Sequence, residues 1–190
     1  MKLLEDRILH DGMVLGGDVL RVDRFLNHQM DPALFKEMAL EWKRLFADAG
    51  INKILTIEAS GIGIACVAGL VMDCTVLFAK KSKTSNTPEH SFSATVKSFT
   101  RGIVSDIYVS DKYLGPEDTV LIIDDFMATG EAARGLIQIV QMSGAKLAGV
   151  GIAIEKAFQP GGDEIRRMGI RVESLARIAE MSQENGIKFC

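Results

Sequence analysis

The spacing of apolar residues changes several times along the chain, and each change predicts an element. From residue 31 a helix is expected: Asp31 offers a side-chain cap, Pro32 holds the first helical position, and Leu34, Met38, Trp42, Leu45 and Phe46 recur at helical spacing until Gly50 closes it. Residues 53–57 (KILTI) predict a buried strand running into EASGIG, and IACVAGLVM after it predicts a short apolar helix. A second strand follows at 75–79, and residues 103–109 alternate as a half-buried strand does. Residues 119–124 form the clearest strand. Behind it Ala132, Ala133, Leu136, Ile137 and Val140 line one side of a helix that ends near Gly144, and 147–154 make the next strand. A last short strand is expected near 170–173, with a helical or irregular tail. Strands alternating with helices in this way predict an α/β fold with a mostly parallel central sheet flanked by helices, in one domain over 1–190.

Between residues 80 and 102 lies KKSKTSNTPEHSFSATVKSFTRG, long and rich in Ser, Thr and Lys, which predicts a lid or a solvated insertion. Composition narrows the partners. A chain that is 47% hydrophobic and 25% charged, with a formal charge of -3, has no net basic field for nucleic acid or an anionic membrane, so the expected partner is a small molecule. Cys66, Cys74 and Cys190 form no CxxC pair and are odd in number, which fits a reducing cytoplasmic location. No apolar run approaches a membrane span, and residues 1–12 show no secretory pattern. His10 and His28 show no metal-ligand spacing, and no protein metal site is expected.

Candidate chemistry gathers at VLIIDDFMATGEAA, residues 120–133: an apolar strand ends in two carboxylates, turns through small residues and opens a helix. In an open parallel sheet, ligands bind beyond the carboxyl ends of the strands, and a helix N-terminus there presents N–H groups and partial positive charge to a phosphate. Ala128, Gly130 and Ala132 are small enough to let a phosphate approach, and the Thr129 hydroxyl adds a donor. Asp124 and Asp125 offer acceptors to vicinal hydroxyls, or negative potential to a developing cation. A capping Asp and a turning Gly would also account for such a joint. The full arrangement, however, resembles the phosphoribosyl diphosphate (PRPP) motif of the type I phosphoribosyltransferases, with Phe126 bulkier than the aliphatic residue common there.

That resemblance implies the type I phosphoribosyltransferase fold, with a small hood from about 1–30 and 155–190 and a mobile loop at about 80–102. It makes Asp124 and Asp125 catalytic and has Ala128, Thr129, Gly130, Glu131 and Ala132 hold the 5-phosphate. Ala59, Ser60 and Gly61 would hold the diphosphate through backbone N–H groups, with Lys80, Lys81 and Lys83 meeting it from the loop. Mg²⁺ is expected on the diphosphate rather than in a protein cage. The flanks LRVDRFLNHQMDP, IEASG, IEKAFQPGGDE and RVESLARI resemble the purine branch that uses xanthine, implying contacts to xanthine from Leu20, Asn27 and Lys156. Lys156 follows a strand on the ligand side of the sheet, and a donor-only ammonium suits an oxo-purine better than adenine. Phe158 is open between stacking on the base and packing in the core. The family implies a homodimer as the expected assembly. Guanine or hypoxanthine as substrate, a PRPP-binding regulator without catalysis, and a dinucleotide domain are the alternatives. The last lacks a GxGxxG after a strand, and the roughly 50 residues before the first sheet strand are too short and too uncharged for a nucleic-acid-binding domain.

Overall fold

A computed structural model describes residues 1–16, 18–82, 90–97 and 104–190. Helix α1 (Lys2–Asp11) leads into the strands β1 (Met13–Leu15) and β2 (Val19–Arg21), which pair as an antiparallel hairpin. Helix α2 (Pro32–Leu45) starts as its sequence dictates, with Asp31 Oδ1 accepting from the N–H groups of Ala33 and Leu34 at 3.1 and 3.2 Å. It ends at Leu45 with Phe46 as its cap, so Gly50, at φ +66°, belongs to the turn beyond and not to the helix stop. There follow β3 (Lys53–Ile57), α3 (Ser60–Met72), β4 (Thr75–Ala79), β5 (Ser91–Lys97), β6 (Val104–Ser110), β7 (Thr119–Met127) and α4 (Glu131–Ser143). The chain finishes with β8 (Lys146–Lys156), α5 (Gly161–Arg167), β9 (Val172–Ser182) and β10 (Gly186–Phe189).

The central sheet runs β10-β9-β8-β7-β3-β4, parallel throughout except for β10 at its edge. Strand β7 shows why it stands in the middle: Leu121 and Ile123 enter the core on one face, Val120 and Ile122 the core on the other, and all four are fully buried. Helices α2 and α3 and the N-terminal segment cover the first face; α4 and the β5–β6 ribbon cover the second.

Two expectations change. The tail, read as helical or irregular, is the rest of β9 and its antiparallel partner β10, with Leu175, Ala176 and Ile178 buried in the first core and Arg177 paired to Glu155 of β8. The segment 80–102 is not all loop. Ser91–Lys97 pairs with Val104–Ser110, and its alternate residues Ala94 and Val96 pack with Ile107 and Val109 into the second core. Lys83 and part of the expected lid lie outside the described residues.

Trp42 ties helix to sheet. Its fully buried indole donates from Nε1 to the Glu173 carbonyl of β9 at 3.3 Å. Trp42→Ala should therefore cost about 3–5 kcal/mol from the cavity and the orphaned carbonyl. At about 2–4 °C per kcal/mol for a chain of this size, thermal unfolding should shift down by on the order of 10 °C.

Candidate active site

Strand β7 continues to Met127, three residues beyond the expected end, so both carboxylates of the pair lie within the strand rather than at its end. Asp124 and Asp125 are 5% and 8% exposed. Each folds back on the chain: Asp124 Oδ1 accepts from the Asp125 N–H at 2.9 Å, and Asp125 Oδ1 from the Phe126 N–H at 3.0 Å. Burial first, and then the neighbouring Asp125 charge, hold the Asp124 carboxyl well above the usual carboxylate range. Asp124 faces the first turn of α3. A Cβ at Gly61 would stand 2.1 Å from Thr56 Oγ1 and 3.2 Å from Asp124 Oδ1, so Gly61 admits these groups rather than facing open solvent.

After β7 the chain crosses residues 128–130 to α4, with Gly130 as the cap residue at φ +82°, a conformation that suits glycine. The loop is braced from behind. Gly161, which opens α5, donates its N–H to the Ala128 carbonyl at 3.1 Å, and a Cβ there would stand 2.4 Å from the Gly130 nitrogen. The result is a helix N-terminus with small residues in front of it, the arrangement that receives a phosphate. A cleft of about 730 Å³ connects this loop with Ala59, Ser60, Asp124 and Asp125. The peptide bond between Glu58 and Ala59 is cis, and Glu58 also lines the cleft, its carboxylate accepting from the Lys81 N–H at 2.5 Å.

The structure thus brings Asp124, Asp125, Ala128, Thr129, Gly130, Glu131, Ala132, Ala59 and Ser60 to one cleft. Gly61 lies beneath it. Lys97 and Ser105 of the ribbon also line this space, and the sequence reading had not singled them out. For Lys97 the signal was the alternation of residues 91–97, hidden within a polar stretch, whereas Ser105 lies on the strand expected at 103–109.

Leu20, Asn27 and Lys156 sit outside that lining; Leu20 is buried on β2 in the first core, whereas the other two touch residues of the cleft. The exposed Asn27 donates from Nδ2 to Asp125 Oδ2 at 3.3 Å. Lys156 is the last residue of β8 and 8% exposed; its Nζ donates to the Asp18 carbonyl in the turn leading to Leu20 and lies 5.7 Å from the centre of the Phe126 ring. Burial pulls the ammonium below its ordinary value, and the Asp18 charge works against that pull. Gln159 holds the same turn by donating to Asp18 Oδ2 at 3.1 Å. Phe158 is 40% exposed, so it is not a core residue. His10 meets only Asp11 among its recorded partners, and His28 is exposed.

Next to Lys156 stands Glu155, a carboxylate with a different fate. It is 1% exposed, and burial alone would push its carboxyl up. Two hydrogen bonds of 2.7 Å from Arg166, one from the Ser174 hydroxyl and the charge of Arg177 bring it below the ordinary value instead. It is therefore a satisfied structural anion, whereas Asp124 lacks such compensation.

Comparison with known proteins gives the family. No protein-family model matches the chain. It is 56% identical over 186 residues to a xanthine phosphoribosyltransferase of Ruminiclostridium cellulolyticum, covering 98% of this chain and 97% of that one. A xanthine phosphoribosyltransferase of Pseudomonas savastanoi is 51% identical, with 96% of each chain covered. Among solved structures, the adenine phosphoribosyltransferase of Giardia lamblia complexed with 9-deazaadenine superposes with a TM-score of 0.77 over 92% of this chain and 97% of that one, at 20% identity. That of Rhodothermus marinus gives 0.74 over 93% and 99%, also at 20%. The solved structures share the fold, the phosphoribosyltransferase sheet with its flanking helices. With half or more of its residues shared along nearly its whole length, the chain belongs to the xanthine phosphoribosyltransferase family.

Proposed function

We propose that this chain transfers the ribose 5-phosphate group of PRPP to N9 of xanthine, giving xanthosine monophosphate and diphosphate, a purine-salvage reaction. The observation that carries the reading is the convergence on one cleft of a buried carboxylate pair, a braced helix N-terminus and the loop at Ala59 and Ser60. In this reaction the bond from C1′ to the diphosphate oxygen breaks, that from C1′ to N9 forms with loss of the base's imidazole proton to solvent, and positive charge builds on the ribose between the two events.

Each part of the cleft has a task on this reading. Residues 128–132 take the 5-phosphate at the N-terminus of α4, where partial positive charge and free N–H groups meet it. Asp124 and Asp125 accept from the ribose hydroxyls and place negative potential beside the developing cation. Ala59, Ser60 and Gly61 hold the diphosphate through the backbone at the start of α3. Glu58 provides a hard oxygen donor of the kind Mg²⁺ prefers, and an ion carried there on the diphosphate would offset charge on the departing group. Lys156 donates to an oxo group of the base, Leu20 packs against it, and Asn27 spans from the base to Asp125. The segments near 1–30 and 155–190 would then form the hood over the base, and the working assembly would be a homodimer.

The direct test is diphosphate release from PRPP and Mg²⁺ with xanthine, guanine, hypoxanthine and adenine side by side. Xanthine should be used best; release with none of them would sink the enzyme reading, and a guanine preference would sink the substrate. Lys156→Ala should raise the KM for xanthine at least tenfold while PRPP affinity, measured by titration, stays within about twofold, since one charge-assisted hydrogen bond is worth about 1.5–3 kcal/mol. Equal losses in both would remove Lys156 from the base site.

Asp124 sets a pH signature. Its raised value means that the acceptor carboxylate gains a proton at a higher pH than an ordinary aspartate does, near 3.9. Hence kcat/KM for PRPP should fall on the acid side starting above that range, as pH drops through the raised value. Asp124→Asn should remove that limb along with most of the activity. A profile that falls only in the ordinary aspartate range would show that Asp124 does not control binding.

A further inference from the structure

We infer that Arg134 is a positioning residue of the 5-phosphate cup, turning the Gly130 N–H toward the substrate without touching it, beside the Thr129 N–H that Gly161 sets. This rests on the PRPP reading above and adds to it a residue that the motif does not contain.

Arg134 lies in the first turn of α4, where the helix end is partly positive and a cation is disfavoured. Its contacts explain its presence. Nη2 donates to the Thr129 carbonyl at 2.8 Å and to Glu131 Oε1 at 2.6 Å, while Nη1 donates to Glu164 Oε2 at 2.7 Å. One planar fork therefore joins the loop, α4 and α5, which a single ammonium cannot do with the same geometry. The guanidinium lies against the bare face of Gly130: a Cβ there would stand 3.1 Å from Nη1.

The consequence follows from peptide geometry. In a trans peptide the carbonyl and the next N–H point in opposite directions. With the Thr129 carbonyl held by Arg134, the Gly130 N–H faces away from the guanidinium; with the Ala128 carbonyl held by the Gly161 N–H at 3.1 Å, the Thr129 N–H faces away from α5. Both carbonyls of the loop are thus fixed toward the α4–α5 side, and their paired donors are left for an anion on the other. Charge balance adds a second contribution. Glu131 and Glu164 would stand as two unpaired negative charges close to the phosphate site if the guanidinium were gone.

Calorimetric titration of the full chain with ribose 5-phosphate, with diphosphate plus Mg²⁺, and with xanthine separates this role from a purely structural one. Arg134→Met should weaken ribose 5-phosphate binding by about tenfold to a hundredfold, the range for losing a charge-assisted hydrogen bond that organises the site. It should lower kcat/KM for PRPP by a similar factor and leave xanthine and diphosphate affinities within about twofold. Adding Glu131→Gln to that variant should recover part of the loss by removing one unpaired charge. Arg134→Lys keeps charge and reach and carries the test if the methionine variant fails to fold; its ribose 5-phosphate affinity should fall about threefold to tenfold. Unchanged ribose 5-phosphate affinity in a folded variant, or equal weakening of all three ligands, would overturn the inference. A wild-type chain that binds no ribose 5-phosphate would overturn the PRPP reading itself, and the inference with it.

Discussion

Gly161 meets the loop at residues 128–130 with no side chain between them, and the site is built on that contact. The loop follows β7 and Gly161 follows β8, so the approach joins the carboxyl ends of the two central strands where the parallel sheet opens a crevice. A methyl group at Gly161 would stand 2.4–2.6 Å from backbone atoms of the loop, so one chain would have to move. Because the loop is pinned from behind, it can show its N–H groups forward in a fixed arrangement. Donors set before the substrate arrives do not have to be organised when it does, which is how a backbone cup contributes to binding and to the transition state. Gly162 belongs to the same joint: a Cβ on it would meet Glu155 Oε1 at 2.3 Å. The two adjacent glycines thus hold the loop at residues 128–130 on one side and the buried carboxylate of β8 on the other.

Electrostatics then sorts the buried acids by task. Asp124 on β7 and Glu155 on β8 are both almost inaccessible to water, yet they shift in opposite directions. Glu155 has Arg166, Ser174 and Arg177 around it and remains an anion that links β8, β9 and α5. Asp124 has the Asp125 N–H and a second carboxylate beside it, which leaves much of its desolvation unpaid. A buried acid whose neighbouring cation, Lys81, does not offset its burial, and which faces a cleft, is poised for a ligand that supplies hydroxyl donors and positive charge. The ribose of a departing glycosyl group supplies both.

How much of this could be read from the sequence follows from which forces leave a local trace. Strand β7 and helix α4 were legible because burial on two faces and then on one stripe produces runs with clear periods. The carboxylate pair and the small-residue loop were legible because their chemistry requires those residue types in that order. Strand β9 was legible only at its start, near 170–173, since Arg177 and Glu180 look like a solvated tail until Glu155 of β8 and Lys188 of β10 supply their partners. Ribbon β5–β6 was missed in half for a related reason: its apolar residues are few, and only the packing of Val96 against Gly135 of α4 shows what they are for. The role of Gly161 left no local trace at all, because a close approach between two loops is a property of the folded chain. The strand ends were misjudged in one direction, with β7 and β8 continuing past their last aliphatic residues into Met127 and Lys156.

The base end of the site differs in kind from the donor end. Residues 120–133 form one continuous strand-loop-helix, so their geometry is set by local structure and neighbouring strands. Leu20, Asn27 and Lys156 come from distant parts of the chain: one hydrogen bond joins Asn27 to Asp125, 98 residues apart, and another joins Lys156 to Asp18 in the turn before Leu20, 138 residues apart. Asp18 is thereby the hinge of the base end, since its carbonyl takes Lys156 and its carboxylate takes Gln159. A sheet shared at about 20% identity with proteins named for adenine sets no preference among purines. Discrimination has to come from which side chains this turn and the end of β8 present, and a buried donor with no acceptor of its own rejects an amine by leaving two donors face to face. On the proposed reading the Asn27–Asp125 contact makes that choice consequential, because Asn27, proposed to meet the base, also touches Asp125, proposed to hold the ribose.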